Sequence, residues 1–514
     1  MAPGLVRQWL RLLPESVKSP LRGIAGRLRL PSAKAVAVSG GDPREAPFTE
    51  LWAACRRALQ EADYEEILRL VGEVDHAVGE KHLRRKNLFS ARLIRVDALA
   101  LLGRGAEAMQ RLDALESYYG ESWETQIRRA RLGPFLGDLT AALVAIDHAL
   151  LTIPVTRPGE RSLLHRTALT KVSLLVASEQ QADALKFMRS ALPFRLGKAA
   201  PTDAEMVALR ATVTDRESLR DVRDLLLPFF SYPNKTAIAA LFNYSLAARN
   251  LHEYDEALLA VQRRFIVGSR ILKFAGRVSP KRVDWSQAAR RALLDLRQDL
   301  SSVGVEFFLI SGTLLGCVRE GDILGHDKDI DVGVMSTVPI GQAKAALSGT
   351  GRFITLPLVT ERLLRVKHAN GVMIDVFFHW EENGKLYHEG QKTRWWNTPF
   401  DSLECEFLGA KFQIPANFDL YLTENYGEWR TPVTDFETFC DTPNMEVANS
   451  SELLWYYHKA LLDHYHKGSA VQFERVWQRI KGISKPSAEF RIAVEAAQRN
   501  IRAHLAGRDA SDAV

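Results

Sequence analysis

Asp327, Asp329 and Asp331 stand at alternate positions in "DKDIDVGV", shortly after the small-residue segment "SGTLLG" that begins at Ser311. Asp and Gly are both poor strand formers. A chain that sets them beside an apolar strand gives up local stability to place carboxylates. Residues two apart on a strand point to one face, with Cα atoms roughly 7 Å apart. Asp329 and Asp331 can therefore converge on one or two divalent cations, with Asp327 extending the row. Such all-oxygen donors suit Mg2+ or Mn2+ rather than zinc. Two carboxylates on one strand face repel, so a cation gives their proximity a reason.

A further carboxylate comes from "MIDVFF", where Asp375 is flanked by Ile374, Val376, Phe377 and Phe378. Acids on two neighbouring strands make a two-metal phosphoryl-transfer site. A DxD pair alone says little; one that follows "SGTLLG" and precedes an apolar-Asp-apolar strand says more. In "SGT", the backbone N–H groups of Ser311, Gly312 and Thr313 can approach phosphate oxygens, because Gly312 adds no side-chain bulk. The hydroxyls of Ser311 and Thr313 can donate as well. Arg319 follows within two helical turns and can meet an anionic oxygen bidentately. His326 and Lys367 add candidate substrate contacts, each with a plainer reading as a loop residue and a solvated strand residue. Trp395 and Trp396 fit stacking on a base or sugar, or simple packing.

These residues need a scaffold. A charged amphipathic helix from Trp285 leads to the apolar run "VEFFLIS", the Gly-rich turn and the acidic strand. Residues 362–368, 371–380, 384–390 and 406–415 read as strands by their β-branched and aromatic content. Helical periodicity returns from about 452 to 505. The region 285–505 is thus an α+β domain with a mixed sheet. "GRVSPKRVD" at 276–284 marks its boundary.

Residues 48–275 read as an all-α helical-repeat domain, with apolar residues recurring at three and four. "DYEEILRLV", "RGAEAMQRL", "DLTAALVAI", "QADALKFMR" and "YDEALLAVQ" resemble one another. Aligned on Ile67, Ala108, Ala142, Ala184 and Ala257, they step by 41, 34, 42 and 73 residues, the last about twice the shorter steps. This is a degenerate tetratricopeptide-like pattern. Stacked hairpins present a groove, which reads as a surface for a polymeric acceptor or partner protein; the alternative is a buttress for the C-terminal domain.

Residues 1–47 form a basic arm and linker. Within 1–30, Arg7, Arg11, Lys18, Arg22, Arg27 and Arg29 face one acid, Glu15, with Trp9, Leu10, Leu12 and Leu13 between them. This fits either a segment resting on an anionic membrane surface or a solvated arm. The chain of 514 residues carries a net charge of only +6, so nucleic acid is not expected as a partner. Cys55, Cys317, Cys405 and Cys440 lack zinc-ligand spacing and read as reduced thiols. With no apolar run long enough to span a bilayer, the expectation is a cytoplasmic protein, peripheral at the inner membrane face if the arm binds lipid.

"ISGTLLGCVREGDILGHDKDIDVGV" resembles the signature of the LicD and fukutin family within the nucleotidyltransferase superfamily. "FLGAKFQIPANFDLYLTENYGEWRTP" (407–432) resembles that family's closing motif. The likeness covers roughly 290–435 and implies a nucleotidyltransferase-like catalytic domain. It implies transfer of a phospho-alditol or phospho-amino-alcohol (ribitol phosphate, glycerol phosphate or phosphocholine) from a CDP-activated donor to a sugar hydroxyl of a surface glycan, releasing CMP. The match carries metal binding to Asp329 and Asp331, with Asp327 beside them. It makes Asp375 either a further ligand or the acceptor of the hydroxyl proton. Gly325-His326 and Lys328 depart from the family pattern; strand parity predicts that Lys328 faces away from the acids with little effect. Two other readings stay open: a nucleotidyltransferase that adds a nucleoside monophosphate to a small molecule, protein or RNA, and an inactive helical-repeat scaffold.

Overall fold

The computed structural model describes residues 46–78, 86–154, 158–191, 201–232, 234–274, 285–325, 327–358, 360–433 and 435–511. The basic arm at 1–30, residues 31–45 of the linker, the boundary at 276–284 and His326 lie outside them.

Among the described residues, twelve helices precede a mixed sheet with its own helices, an α+β arrangement. The twelve are α1 (Ala46–Gln60), α2 (Tyr64–Val78), α3 (Lys86–Leu101), α4 (Gly105–Tyr119), α5 (Trp123–Leu136), α6 (Leu139–Thr152), α7 (Pro158–Ala177), α8 (Gln181–Ala191), α9 (Asp203–Ala211), α10 (Arg216–Leu226), α11 (Lys235–Asn250) and α12 (Tyr254–Ile271). The recurring segments are the openings of alternate helices, α2, α4, α6, α8 and α12. Their register residues Ile67, Ala108, Ala142, Ala184 and Ala257 are all fully buried. The double step hides a sixth copy. Leu219 of α10 holds the same register, four residues after Asp215, as Ala142 does after Asp138. Asp138 and Asp215 are both N-caps that accept a backbone N–H three residues on.

The chain forms two compact units that do not follow its order. One holds the residues up to Gln180, Pro280–Val376 and Glu404–Gln413; the other holds Gln181–Ser279, Phe377–Leu403 and Ile414–Val514.

In the first unit, α1–α7 stack around a chain of small cores, one of them built from Phe48, Leu51, Cys55, Ile67, Val71, Leu88 and Ile94. Its strands are β1 (Phe308–Leu309), β2 (Asp329–Met335), β3 (Phe353–Thr355), β4 (Leu363–His368), the opening residues of β5 (Met373–Glu382), and most of the hairpin of β8 (Ser402–Phe407) and β9 (Ala410–Pro415). Their order is β3-β4-β5-β2-β1-β9-β8. β1 runs antiparallel to β2, with Phe308 opposite Gly333 and Leu309 opposite Val332. β2 is held by its apolar face: Ile330, Val332 and Val334 are fully buried, which leaves Asp329 and Asp331 on the opposite face. Residues 406–415, expected as one strand, turn back at Leu408 and Gly409, both at positive φ (55° and 78°). Two such residues make the tight turn of a hairpin.

Helices α13 (Ser286–Ser301), α14 (Ser311–Glu320) and α15 (Ile340–Leu347) complete this unit. A polar junction ties its helical array to its sheet. His368 on β4 is fully buried. Its Nε2 lies 3.0 Å from Asp295 of α13, and its Nδ1 accepts the Asn370 N–H. Arg291 binds the same carboxylate and donates to the Leu102 carbonyl at 2.9 Å. Burial pushes the Asp295 carboxyl up, but the His368 and Arg291 hydrogen bonds outweigh it and hold it below the usual range. Beside them Gly105 meets Gly351 backbone to backbone; a Cβ on Gly105 would come within 2.8 Å.

The second unit holds α8–α12, the remainder of β5, β6 (Lys385–Glu389), β7 (Thr393–Asn397), β10 (Met445–Val447), and α16 (Phe418–Tyr426), α17 (Thr438–Asp441), α18 (Ser450–Lys467), α19 (Ala470–Ile483) and α20 (Ala488–Ser511). Its core joins Phe265 of α12 to Leu453, Tyr457, Phe473, Trp477 and Phe490. Glu452 is fully buried and is met by Arg249 at 2.5 Å, Gln391 at 2.9 Å and Tyr254 at 3.1 Å. Trp395 stacks on buried His388 at 5.2 Å, and Lys385 sits 3.7 Å over Trp396, so both tryptophans pack within this unit. Burial pushes His379 down to about 4, which keeps it neutral. All four cysteines are free. No described helix is long and apolar enough to cross a membrane.

Candidate active site

The acids sit in the first unit, where β2 and the start of β5 are neighbours. Asp329 and Asp331 lie on β2, Asp327 leads into it, and Asp375 is the third residue of β5. Asp327, Asp329 and Asp331 are partly buried, and Asp375 is 7% exposed.

The "SGT" segment is not a free turn. It is the first turn of α14, which starts at Ser311 with no side-chain cap at its N-terminus. Ser311 takes a positive φ of 48° to enter it. Thr313 is buried, and its hydroxyl accepts the Asp331 N–H at 2.9 Å, which fixes the helix to the acidic strand. Gly312 is needed for a close approach: a Cβ there would lie 2.5 Å from Asp327 Oδ2. The carboxylate of Asp327 therefore rests against the opening turn of a helix, where uncapped N–H groups favour negative charge.

The carboxylates act on one another. Burial pushes Asp331 well up, and the charges of Asp329, Asp375 and Asp327 push it further. Burial and Asp329 push Asp327 up to about 6. Asp329 is raised by burial, offset by Arg365 and Lys328. Lys328 is exposed, as strand parity predicts, and its charge only partly offsets the upward push of burial on Asp327 and Asp329.

Arg365 on β4 was not legible as a site residue. Its Nη2 lies 3.1 Å from Asp375 Oδ2, with the Arg365 side chain 44% exposed. It also lowers Asp329 and Asp331 electrostatically. The signal was present in "RLLRVKH": Arg365 and Lys367 are two apart and share a strand face. Lys367 lies farther along β4, opposite Ile354 of β3. Arg319, in the last turn of α14, is 15% exposed and pairs with Glu320 at 2.9 Å. The structure thus joins Asp327, Asp329, Asp331, Asp375, Gly312 and Thr313 around one strand face.

Four carboxylates with all-oxygen donors fit a hard divalent cation, and their mutual repulsion is the load such an ion would relieve. The shell is not preformed: among the described residues no three His, Cys, Asp or Glu side chains stand ready to hold a metal ion. Arg365 supplies positive charge at Asp375 instead.

Residues 304–417, which contain all these groups, match the family model "LicD/FKTN/FKRP, nucleotidyltransferase domain". This segment is similar to LicD-type nucleotidyltransferase domains. The ribitol-5-phosphate transferase FKTN of Homo sapiens is 27% identical over 176 residues, 32% of this chain and 38% of that protein. The Mus musculus counterpart is 27% identical over 170 residues, 31% of this chain and 36% of that protein. The chain thus spans less than two fifths of the length of these relatives. The helices α1–α12 lie outside the LicD domain match.

Proposed function

We propose that the LicD domain moves a phospho-alditol, of ribitol phosphate type, from a CDP-linked donor to a hydroxyl of a glycan acceptor, releasing CMP. The observation that carries this reading is the set of four mutually repelling carboxylates on β2, its approach and β5, inside the segment matched to the LicD/FKTN/FKRP family model. Mg2+ or Mn2+ held by Asp329 and Asp331, with Asp327 and Asp375 beside them, would supply positive charge to the phosphoryl oxygens and to departing CMP. Arg365 swings from Asp375 toward the phosphate oxygens and adds a planar pair of donors. The N–H groups at Ser311 and Gly312 give a second anion contact at the helix N-terminus. Asp375 accepts the proton of the acceptor hydroxyl as its oxygen bonds to phosphorus and the bond from phosphorus to CMP breaks.

The test is incubation of the purified chain and Mg2+ with CDP-ribitol, CDP-glycerol and CDP-choline, with and without EDTA. CMP release from one donor, abolished by EDTA and by Asp331→Asn, is expected. Pyrophosphate release from nucleoside triphosphates, with no CMP from any CDP donor, would replace this reading with nucleotidyl transfer.

A further inference from the structure

The segment matched to the LicD model carries a sulfur pair that the proposed transfer does not use. Cys317 stands on α14 and Cys405 on β8, 88 residues apart in the chain, yet their Sγ atoms are 4.0 Å apart. Both residues belong to the first unit. Cys317 is 8% exposed, whereas Cys405 is half-buried between exposed Glu404 and Glu406, so a soluble oxidant meets Cys405 first. Burial, and then the nearness of Cys405, push the Cys317 thiol up to about 12, which keeps it protonated until its partner has reacted. Cys55 and Cys440 are buried in separate cores.

The pair sits on the helix that shapes the acidic site. Cys317 follows Thr313 by four residues and so lies on the same side of α14. Thr313 accepts the Asp331 N–H at 2.9 Å. Gly312 is packed so closely that a Cβ there would lie 2.5 Å from Asp327 Oδ2. A disulfide holds its sulfurs at about 2.05 Å, so closing the pair brings them nearer by about 2 Å. A helix moves as one body, and whatever part of that approach α14 takes is felt at Thr313 and Gly312. Displacements of about 1 Å are enough to disable a site of this kind.

We propose that Cys317 and Cys405 form a redox switch, in which a peroxide joins them in a reversible disulfide that draws α14 toward β8, parts Thr313 from the Asp331 N–H and weakens metal binding by the carboxylates. The last consequence rests on the metal-bound reading of the site. In the first step the Cys405 sulfur takes one oxygen from hydrogen peroxide, giving a sulfenic acid and one water. The Cys317 sulfur then attacks the Cys405 sulfur; the S–S bond forms, the S–O bond breaks, and the oxygen leaves with the Cys317 proton as a second water. Two thiols are oxidised and one peroxide is reduced. An added dithiol reverses the bond by exchange.

The experiment treats the reduced full chain with hydrogen peroxide, with and without later dithiothreitol. Peptide mapping by mass spectrometry should find Cys317 joined to Cys405, and dithiothreitol should part them. Hydrogen exchange in peptides covering 329–335 should quicken at least threefold in the cross-linked chain and recover on reduction. Mn2+ binding, read by electron paramagnetic resonance, should weaken at least threefold and recover likewise. Cys405→Ser should bind Mn2+ as reduced wild type does and show neither response to peroxide; should it fail to fold, Cys317→Ala carries the same expectation. The proposal is overturned if peroxide yields no Cys317–Cys405 link, if the linked chain exchanges as the reduced one does, or if Mn2+ binding is equal in the two. A reduced chain that binds no Mn2+ would sink the metal reading and with it the last consequence, while the link and the exchange still decide the movement of α14.

Discussion

Replacing Asp327 by Asn should stabilise the metal-free protein, although it removes a residue of the active site. Asp327 is pushed up to about 6 from an ordinary 3.8, by burial and then by Asp329. That is a shift of about two units, and at about 1.36 kcal/mol per unit the ionised carboxylate costs the fold up to about 3 kcal/mol. Access of water to this partly buried group brings the figure nearer 1.5 to 3 kcal/mol, in the sense of ~20 for the effective dielectric. Asparagine keeps the shape, the contact with Gly312 and the oxygen that accepts the Lys328 N–H. A carboxyl whose folded value is raised contributes its stability below the unfolded value near 3.8 and loses it as pH rises through about 6. Thermal melting in EDTA, from about pH 3 to 8, should therefore show the variant and wild type nearly equal at the acid end. The variant should gain steadily to about pH 7 and then hold constant. Added Mn2+ should reverse the ranking, because binding to the folded state favours the chain with the full carboxylate set. A variant that melts below wild type at pH 8 in EDTA, or a difference that does not change with pH, would refute the repulsion argument.

Arg365→Gln should bind Mn2+ more tightly than wild type, having lost the competing cation at Asp375, yet transfer more slowly; calorimetry and CMP release check the two signs. Gly312→Ala sets a Cβ against Asp327, so Mn2+ affinity should fall even though alanine favours the helix by about 1 kcal/mol, which titration beside melting will reveal. Arg249→Met leaves fully buried Glu452 without its cation, so the second unit should lose about 3–5 kcal/mol, visible as an earlier unfolding transition, while Mn2+ binding to the first unit persists.

The acidic strand was legible because its pattern needs no partner to be read: Ile330, Val332 and Val334 alternate with Asp329 and Asp331, and one face must be buried. The helical hairpins were legible for the same reason, through small residues at fixed register. The hidden hairpin escaped because Leu219 stands where four of its five relatives carry alanine. Other misses came from the tertiary setting. The "SGT" segment reads as a turn by composition, since Ser and Gly favour turns, and it becomes a helix because Thr313 is tied to β2. The turn at Leu408 places a leucine in a conformation usually left to glycine or asparagine, so one strand was read where two exist. For Arg365 the local pattern placed it on the face of Lys367, but its approach to Asp375 needed the pairing of β4 with β5. The division into two compact units cuts through β5, β8 and β9, and a boundary inside a continuous strand leaves no mark in composition.

The most direct test is a count of bound Mn2+ by electron paramagnetic resonance, on the chelator-stripped full chain and on Asp331→Asn. The account predicts that wild type takes up at least one ion and that Asp331→Asn binds it at least tenfold more weakly while retaining its folded melting transition. Equal Mn2+ binding by the two proteins, or none by wild type at millimolar metal, would contradict it.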